Sequence, residues 1–319
     1  MLFTAPIVFE PIFMDRVWGG RRLETLCGKR LPARGRIGES WEVVDRAEAQ
    51  SVVHNDPLRG KTLGELWREW RGDVFGAGVP DSARFPLLFK LLDAEERLSL
   101  QVHPPAEVAP SLKGEPKTEM WYILDTHGDS DIFAGLRAGV TRGQFEAALH
   151  EGSVERTVHR IAVKSGDSIF IPSGRVHAIG AGNVIVEVQQ NSDTTYRVFD
   201  WNRVGLDGKM RQLHIEESLR SIDFGDFEPA LQSGHGETVV NCPYFHVEKW
   251  DLIGAREAAR PGEFAIFTVL AGRVKCGELE FPRGEFFLMP AAMENRMVEP
   301  AGGSASVLRT TIPFAGRSR

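Results

Sequence analysis

The sequence predicts a mainly β protein: two related β units with a few short helices. Two observations carry this. The chain is dominated by short runs of period-two or continuous apolar residues bounded by Gly and Pro, the pattern of strands joined by turns. A Gly-x5-Pro frame also occurs twice, at Gly166 to Pro172 and at Gly284 to Pro290, which points to a repeated unit.

Taken in order, Phe9 to Phe13 and Val17 to Gly20 read as strand pieces, and Ile37 to Val44 as a further strand. Trp18 and Trp41 are read as core or pocket-wall residues. Leu63, Leu66, Trp67 and Trp70 share one face at helical spacing, so a short helix is expected there as plain core packing. Residues 85–104 hold a continuous apolar strand, a polar turn from Asp93 to Arg97, and a second strand that Pro104 and Pro105 end. Gln101 and His103 are two apart on it, so they point the same way.

The run Lys117 to Leu124 alternates, with Lys117, Glu119 and Trp121 on one face. Residues 134–162 are expected to interrupt the strands with a helix capped by Thr141. Arg211 to Ile222 carries a second helical piece. In Gly166 to Arg203, Ile169 to Ile171 is a short strand, and Pro172 and Gly174 force a tight turn. His177 leaves that turn as the next strand starts. Val184 to Gln189 follows, with Ile185, Glu187 and Gln189 on one face. A carboxylate at that place is costly without a partner. Arg197 shares the face of Thr195 and Phe199.

Length and composition bound the rest. At 319 residues the chain is long enough for about two domains, and 42% apolar content supports a sizeable core. The net charge of −6 is spread over mixed signs with no basic stripe, which argues against nucleic acid as a partner. A local Arg and Lys pair can still bind an anionic substrate. Cys27, Cys242 and Cys276 are odd in number and widely spaced, which argues against a disulfide framework or a cysteine metal site. The N-terminus lacks a basic leader pattern, and no run approaches the ~18 apolar residues of a membrane span. A reducing cytoplasm is therefore expected, with no membrane partner.

The Gly-x5-Pro-x-Gly-x2-His spacing ending at His177 resembles the second metal motif of the cupin superfamily, a double-stranded jelly roll. The Asn usual shortly after that His is absent; Asn183 comes later. On this resemblance the chain divides into a catalytic cupin barrel over 1–224, a linker over 225–237 and a degenerate cupin-like barrel over 238–319. The second frame has Ala292 and Asn295 where Gly174 and His177 stand in the first, so no metal is expected there. In the first unit Gln101, His103, Glu119 and His177 form a candidate metal set. Two nitrogen and two oxygen donors suit Zn²⁺, and the same set can hold Fe²⁺, Mn²⁺ or Co²⁺. His54, His127, His150, His159, His214, His235 and His246 are read as structural.

With these residues in hand, the chain resembles the type I mannose-6-phosphate isomerases, in their short bacterial form. The resemblance rests on Trp18-Gly19-Gly20, Gly38 to Glu42, Gln101-Val102-His103-Pro104, Lys117 to Tyr122 and Pro172 to Arg197. It implies one Zn²⁺ per chain at Gln101, His103, Glu119 and His177, and an active-site Arg197 supported by Lys117 and Glu187. The reaction implied is interconversion of mannose 6-phosphate and fructose 6-phosphate through an enediol(ate), with a small sugar phosphate as partner. Glu187 is the first candidate for the base, because its half-apolar face should raise its pKa toward neutrality. Lys117 is the second, as phosphate binder or proton shuttle. Ser99 is a candidate phosphate contact, and Arg203 is read as a surface ion pair. Glu187 paired simply with Arg197 or Lys117 stays open. Two rival readings are a cupin metal oxygenase and a non-enzymatic sugar-binding cupin with a closed structural metal.

Overall fold

The computed structural model describes residues 3–232 and 236–313. His235 and part of the expected linker lie outside the described residues. In the first half the strands are β1 (Ile12–Gly20), β2 (Ile37–Val43), the small hairpin β3 (Asp45–Arg46) and β4 (Ala49–Gln50), β5 (Leu87–Ala94), β6 (Leu100–Val102) and β7 (Glu119–Thr126). They continue as β8 (Asp131–Leu136), β9 (Val158–Ala162), β10 (Ser168–Ile171), β11 (His177–Ile179), β12 (Asn183–Gln190) and β13 (Tyr196–Phe199). They form two antiparallel sheets, ordered β1-β2-β5-β12-β7-β10 and β13-β6-β11-β8-β9.

The two sheets face each other. Leu92, Trp121, Ile123, Ile169 and Ile185 of the first meet Ile132, Ala134 and Ile179 of the second in one buried cluster. The opposite face of the first sheet, with Val184, Val186, Val188, Met120 and Leu91, is buried as well. This explains why β5 and β12 read as nearly continuous apolar runs: both faces of the sheet are covered.

The cover on that outer face comes from the C-terminal half. There β14 (Thr238–Asn241), β15 (His246–Leu252), β16 (Arg256–Glu257), β17 (Ala265–Ala271), β18 (Arg273–Cys276), β19 (Leu279–Pro282), β20 (Phe286–Met289), β21 (Met297–Pro300) and β22 (Ala305–Thr311) form two more antiparallel sheets, β14-β15-β22-β17-β20 and β16-β21-β18-β19. Ile266, Phe264, Phe286, Leu288 and Leu308 join the same core as Val186 and Leu91. Between the two C-terminal sheets, Trp250, Phe267, Phe281, Phe287 and Met293 fill the interior. Asn295, which stands where His177 does in the first unit, is exposed. Gly284 has a packing reason: at φ 85, a Cβ there would stand 2.3 Å from Cys27 Cβ. Only Gly lets the two halves approach so closely at that point.

Among the described residues five α-helices flank the sheets: α1 (Arg22–Cys27), α2 (Leu63–Glu69), α3 (Arg71–Phe75), α4 (Arg142–His150) and α5 (Ile215–Ser221). Thr62 and Thr141 cap α2 and α4, each in a reciprocal box with the Glu65 or Gln144 three residues on. Leu63, Leu66 and Trp67 are buried as their spacing predicts. Trp67 and Phe75 meet edge-to-face at 4.8 Å, and Phe75 meets Phe264 of the C-terminal half at 5.3 Å.

The expected interruption is shorter than its sequence reading. Residues 134–136 and 158–162 belong to β8 and β9, and the excursion is confined to what lies between them. Short strands flanking a helix carry too little period-two signal to be separated from it.

Candidate active site

The second sheet brings three of the expected ligands together. On β6, Gln101 pairs in register with His177 of β11 on one side and Arg197 of β13 on the other. His103 follows β6 directly. The turn expected at Pro172 to Gly174 is present, with Gly174 at φ 94, and its N–H donates to the His103 carbonyl at 2.8 Å. That bond ties His103 to the turn that launches His177. Glu119 opens β7 in the opposite sheet and reaches across.

His103 Nε2 and His177 Nε2 lie 3.5 Å from Glu119 Oε2 and Oε1 respectively. The three donors lie within 4.8 Å of one another, and all three residues are buried. The outer nitrogens are occupied: His103 Nδ1 meets the Thr194 carbonyl and His177 Nδ1 the Arg175 carbonyl, each at 2.8 Å. A carbonyl only accepts, so each Nδ1 carries the proton and each Nε2 turns a lone pair inward.

Burial, with Lys117 beside it, holds His103 below its usual range, and burial pushes His177 down to about 3. Burial pushes Glu119 up, but Lys117 and the two imidazoles more than offset this and hold it well below the carboxylate range. Two neutral imidazoles and an ionised carboxylate are the ligand states a divalent cation requires. Both Glu119 oxygens are buried without a hydrogen bond of acceptable angle, although Lys117 Nζ stands 2.7 Å from Oε2. Donor separations near 3.5 Å also suit tetrahedral bonds of about 2.0–2.2 Å. Gln101 Nε2 lies 3.2 Å from His177 Nε2. An amide flip, giving up that contact and a 3.4 Å one from Ser99 Oγ, turns the Gln101 oxygen inward. The residues therefore fit a metal ion.

Above this cluster opens a cleft of about 320 Å³. Ser99, Gln101, Lys117, Glu187 and Arg197 all line it, together with Trp18 and Arg211. Lys117 lies just before β7 rather than within it. Glu187 accepts from Trp121 Nε1 at 3.1 Å, and its cations are Lys90 at 3.6 Å and Lys117 at 3.8 Å. Burial and the neighbouring Glu119 push Glu187 up to about 7. Burial lowers the Lys117 pKa, but Glu119 and Glu187 more than offset this and hold it above the usual lysine value.

Arg197 does not pair with Glu187. Its Nη1 donates to the Gln212 carbonyl at 2.8 Å, and its backbone N–H donates to His214 Nδ1 at 3.2 Å. Its buried Nε has no partner. Arg203 is not a surface pair either: it donates to Asp200 at 2.8 Å and to the Arg97 carbonyl at 2.6 Å, with its side chain 13% exposed.

Sequence reasoning missed a row of charge. Lys90 is buried on β5 over the Trp41 ring, 4.9 Å from its centre, and reaches Glu39 at 3.8 Å and Asp193 at 4.0 Å. Arg16 closes on Glu39 at 2.9 Å. A lysine inside the apolar run Leu87-Leu88-Phe89-Lys90-Leu91-Leu92 was the available signal. No other His, Cys, Asp or Glu group of this kind occurs among the described residues.

Comparison with known proteins shows the family. The family model for the catalytic domain of type I phosphomannose isomerase matches residues 8–130. Mannose-6-phosphate isomerase ManA of Bacillus subtilis is 39% identical over 90% of this chain and 93% of its own length. The chain belongs to the type I mannose-6-phosphate isomerase family. A mannose-6-phosphate isomerase of Streptococcus mutans is 35% identical over 90% of this chain and 94% of its own. The crystal structure of the Bacillus subtilis mannose 6-phosphate isomerase superposes with a TM-score of 0.86 at 33% identity, covering 97% of this chain and all of that one. A more distant structure, a mannose 6-phosphate isomerase bound with zinc and yttrium, shares the fold with a TM-score of 0.74 at 16% identity, over 97% of this chain and 100% of that one. Membership of this metal-dependent aldose–ketose isomerase family favours neither the oxygenase nor the sugar-binding reading.

Proposed function

We propose that the cleft interconverts mannose 6-phosphate and fructose 6-phosphate, with Glu187 as the proton-transfer base and one Zn²⁺ held by Gln101, His103, Glu119 and His177. The observation that carries this is a buried carboxylate with a pKa pushed up to about 7, facing a cleft beside two inward-facing neutral imidazoles. Bound there, Zn²⁺ supplies Lewis-acid stabilisation of negative charge on the sugar oxygens.

Moving the carbonyl from C1 to C2 requires one proton to leave C2 and return at C1, and a hydroxyl proton to pass from O2 to O1. Glu187 takes that proton on one carboxylate oxygen and gives it back, and a pKa near neutrality suits both directions. Trp121 Nε1 fixes the carboxylate orientation, and Lys90 limits how far burial raises its pKa. Lys117, 2.7 Å from Glu119 and 3.8 Å from Glu187, places a cation beside developing enediolate oxygen in this reading. Arg197 offers an unpartnered buried Nε to substrate oxygen. Ser99 and Arg211, which line the cleft, are the phosphate contacts in this reading.

The division into a catalytic unit over 1–224 and a supporting unit over 238–319 fits this reading, since the latter's sheet backs β5, β7 and β12. Three free cysteines suit a reducing cytoplasm, and no helix among the described residues is long and apolar enough to cross a membrane.

The test is turnover of mannose 6-phosphate on protein as purified, after chelation, and after zinc is restored. Loss on chelation and recovery with zinc is expected. Full activity in metal-free protein would reject the zinc assignment, and no activity in any state would reject the reaction.

A further inference from the structure

A second cavity lies apart from the catalytic cleft. It holds about 680 Å³ and lies against the outer face of the second sheet. Phe133 forms part of its wall and packs in the cluster on that face with Leu136, Val158 and Ala178, whereas its neighbour Ala134 pairs with His177 and packs inward.

The cavity's charges are unevenly committed. Arg137, Arg156 and His159 line it, and their side chains make no hydrogen bond or ion pair among the described residues. Both carboxylates on the wall are already engaged. Glu155 pairs with Arg97 at 3.1 Å, and Glu228 accepts the Ala138 N–H at 3.1 Å. Arg160 is tied to Asp131 from the side. Two guanidiniums without a partner among the described residues and an imidazole thus line a space in which the one carboxylate without a cation, Glu228, accepts a backbone N–H.

We propose that this cavity binds a small polyanion carrying two phosphate groups, at a site separate from the catalytic cleft. The volume falls in the range of small-molecule sites and is about twice that of the cleft, so it suits a ligand with two separated anionic groups. Guanidinium forks match phosphate oxygens in pairs, which favours phosphate esters over single charges. The cavity also touches the residues behind the cleft. Arg97, held by Glu155, lies 4.9 Å from the Phe133 ring centre and 4.6 Å from that of Trp201. Trp201 Nε1 in turn donates to the carbonyl of Leu98, a cleft residue, at 2.6 Å.

The test is calorimetric titration of the full-length, metal-loaded protein with fructose 1,6-bisphosphate, while an equilibrium mixture of the two hexose 6-phosphates saturates the cleft. One equivalent should still bind, about tenfold or more tighter than inorganic phosphate. The double substitution Arg137→Ala/Arg156→Ala should weaken it by about tenfold or more, the loss expected for charged hydrogen bonds. Its turnover without bisphosphate should be unchanged, which shows that it is folded. Arg30→Ala/Arg34→Ala, at exposed positions away from the cavity, should bind as the parent does. No binding with the cleft saturated, or equal affinity in parent and Arg137→Ala/Arg156→Ala, overturns the proposal. So does equal weakening by the Arg30→Ala/Arg34→Ala control.

Discussion

Lys90 and Glu187 stand directly opposite each other on adjacent strands β5 and β12, with Nζ 3.6 Å from Oε2. Trp41 and Trp121 flank them in the same row. The pairing places a cation beside the carboxylate proposed to gain and lose a proton, whereas Lys117 stands 2.7 Å from Glu119.

Replacing Lys90 by Met removes one of the two lysines that oppose the raised pKa of Glu187. A base works ionised, so the acidic limb of the kcat/KM profile should move to higher pH, by roughly one unit. Turnover near neutrality should fall about fivefold while metal content holds. An unshifted acidic limb would show that Lys90 does not tune this group.

Arg197→Ala should lower kcat by roughly 10²–10³-fold, the scale of losing a preorganised charge-stabilising donor. Zinc should remain bound, since among the described residues the Arg197 side chain hydrogen-bonds the Gln212 carbonyl and none of the four expected ligands. His177→Ala should lose both activity and metal. Elemental analysis beside kinetics separates the two, and near-normal kcat in Arg197→Ala would remove that residue from the mechanism.

Acid stability should depend on Glu39. Burial pushes its pKa up, but Lys90 and Arg16 more than offset this and hold it at about 2, against an ordinary 4.5. A depressed carboxyl stabilises the fold above its unfolded pKa, and that stability is lost as pH falls through the folded value. The contribution is about 3 kcal/mol at most, lost between about pH 4.5 and 2. Glu39→Gln should flatten the pH dependence of denaturant midpoints in that window. An unchanged slope would count against it.

Phe264→Ala should destabilise the protein by about 3–5 kcal/mol. Phe264 packs on Phe75 and Phe85 of the first half, so both halves should melt together at a lower temperature. Two separated transitions, with only the later one shifted, would contradict a shared core.

Some of this was legible because it is local. The turn that releases His177 is written in Pro172 and Gly174, whose backbone preferences act within a few residues. The boxes at Thr62 and Thr141 are written in residues three apart. The common direction of Gln101 and His103 follows from strand period alone. Edges were less legible: Lys117 falls just before its strand, since alternation does not say where hydrogen bonding starts.

By itself, the sequence determined the strand faces, the caps and turns, and the donor types at Gln101, His103, Glu119 and His177. These depend on backbone dihedrals and side-chain chemistry near each residue. Only the tertiary structure decided which charges meet. Glu187 faces Lys90 rather than Arg197, Arg197 is held by Gln212 and His214, and Gly284 is pressed against Cys27. Those contacts join strands and loops far apart in the chain. Register and packing between sheets select them, and no local pattern encodes that choice.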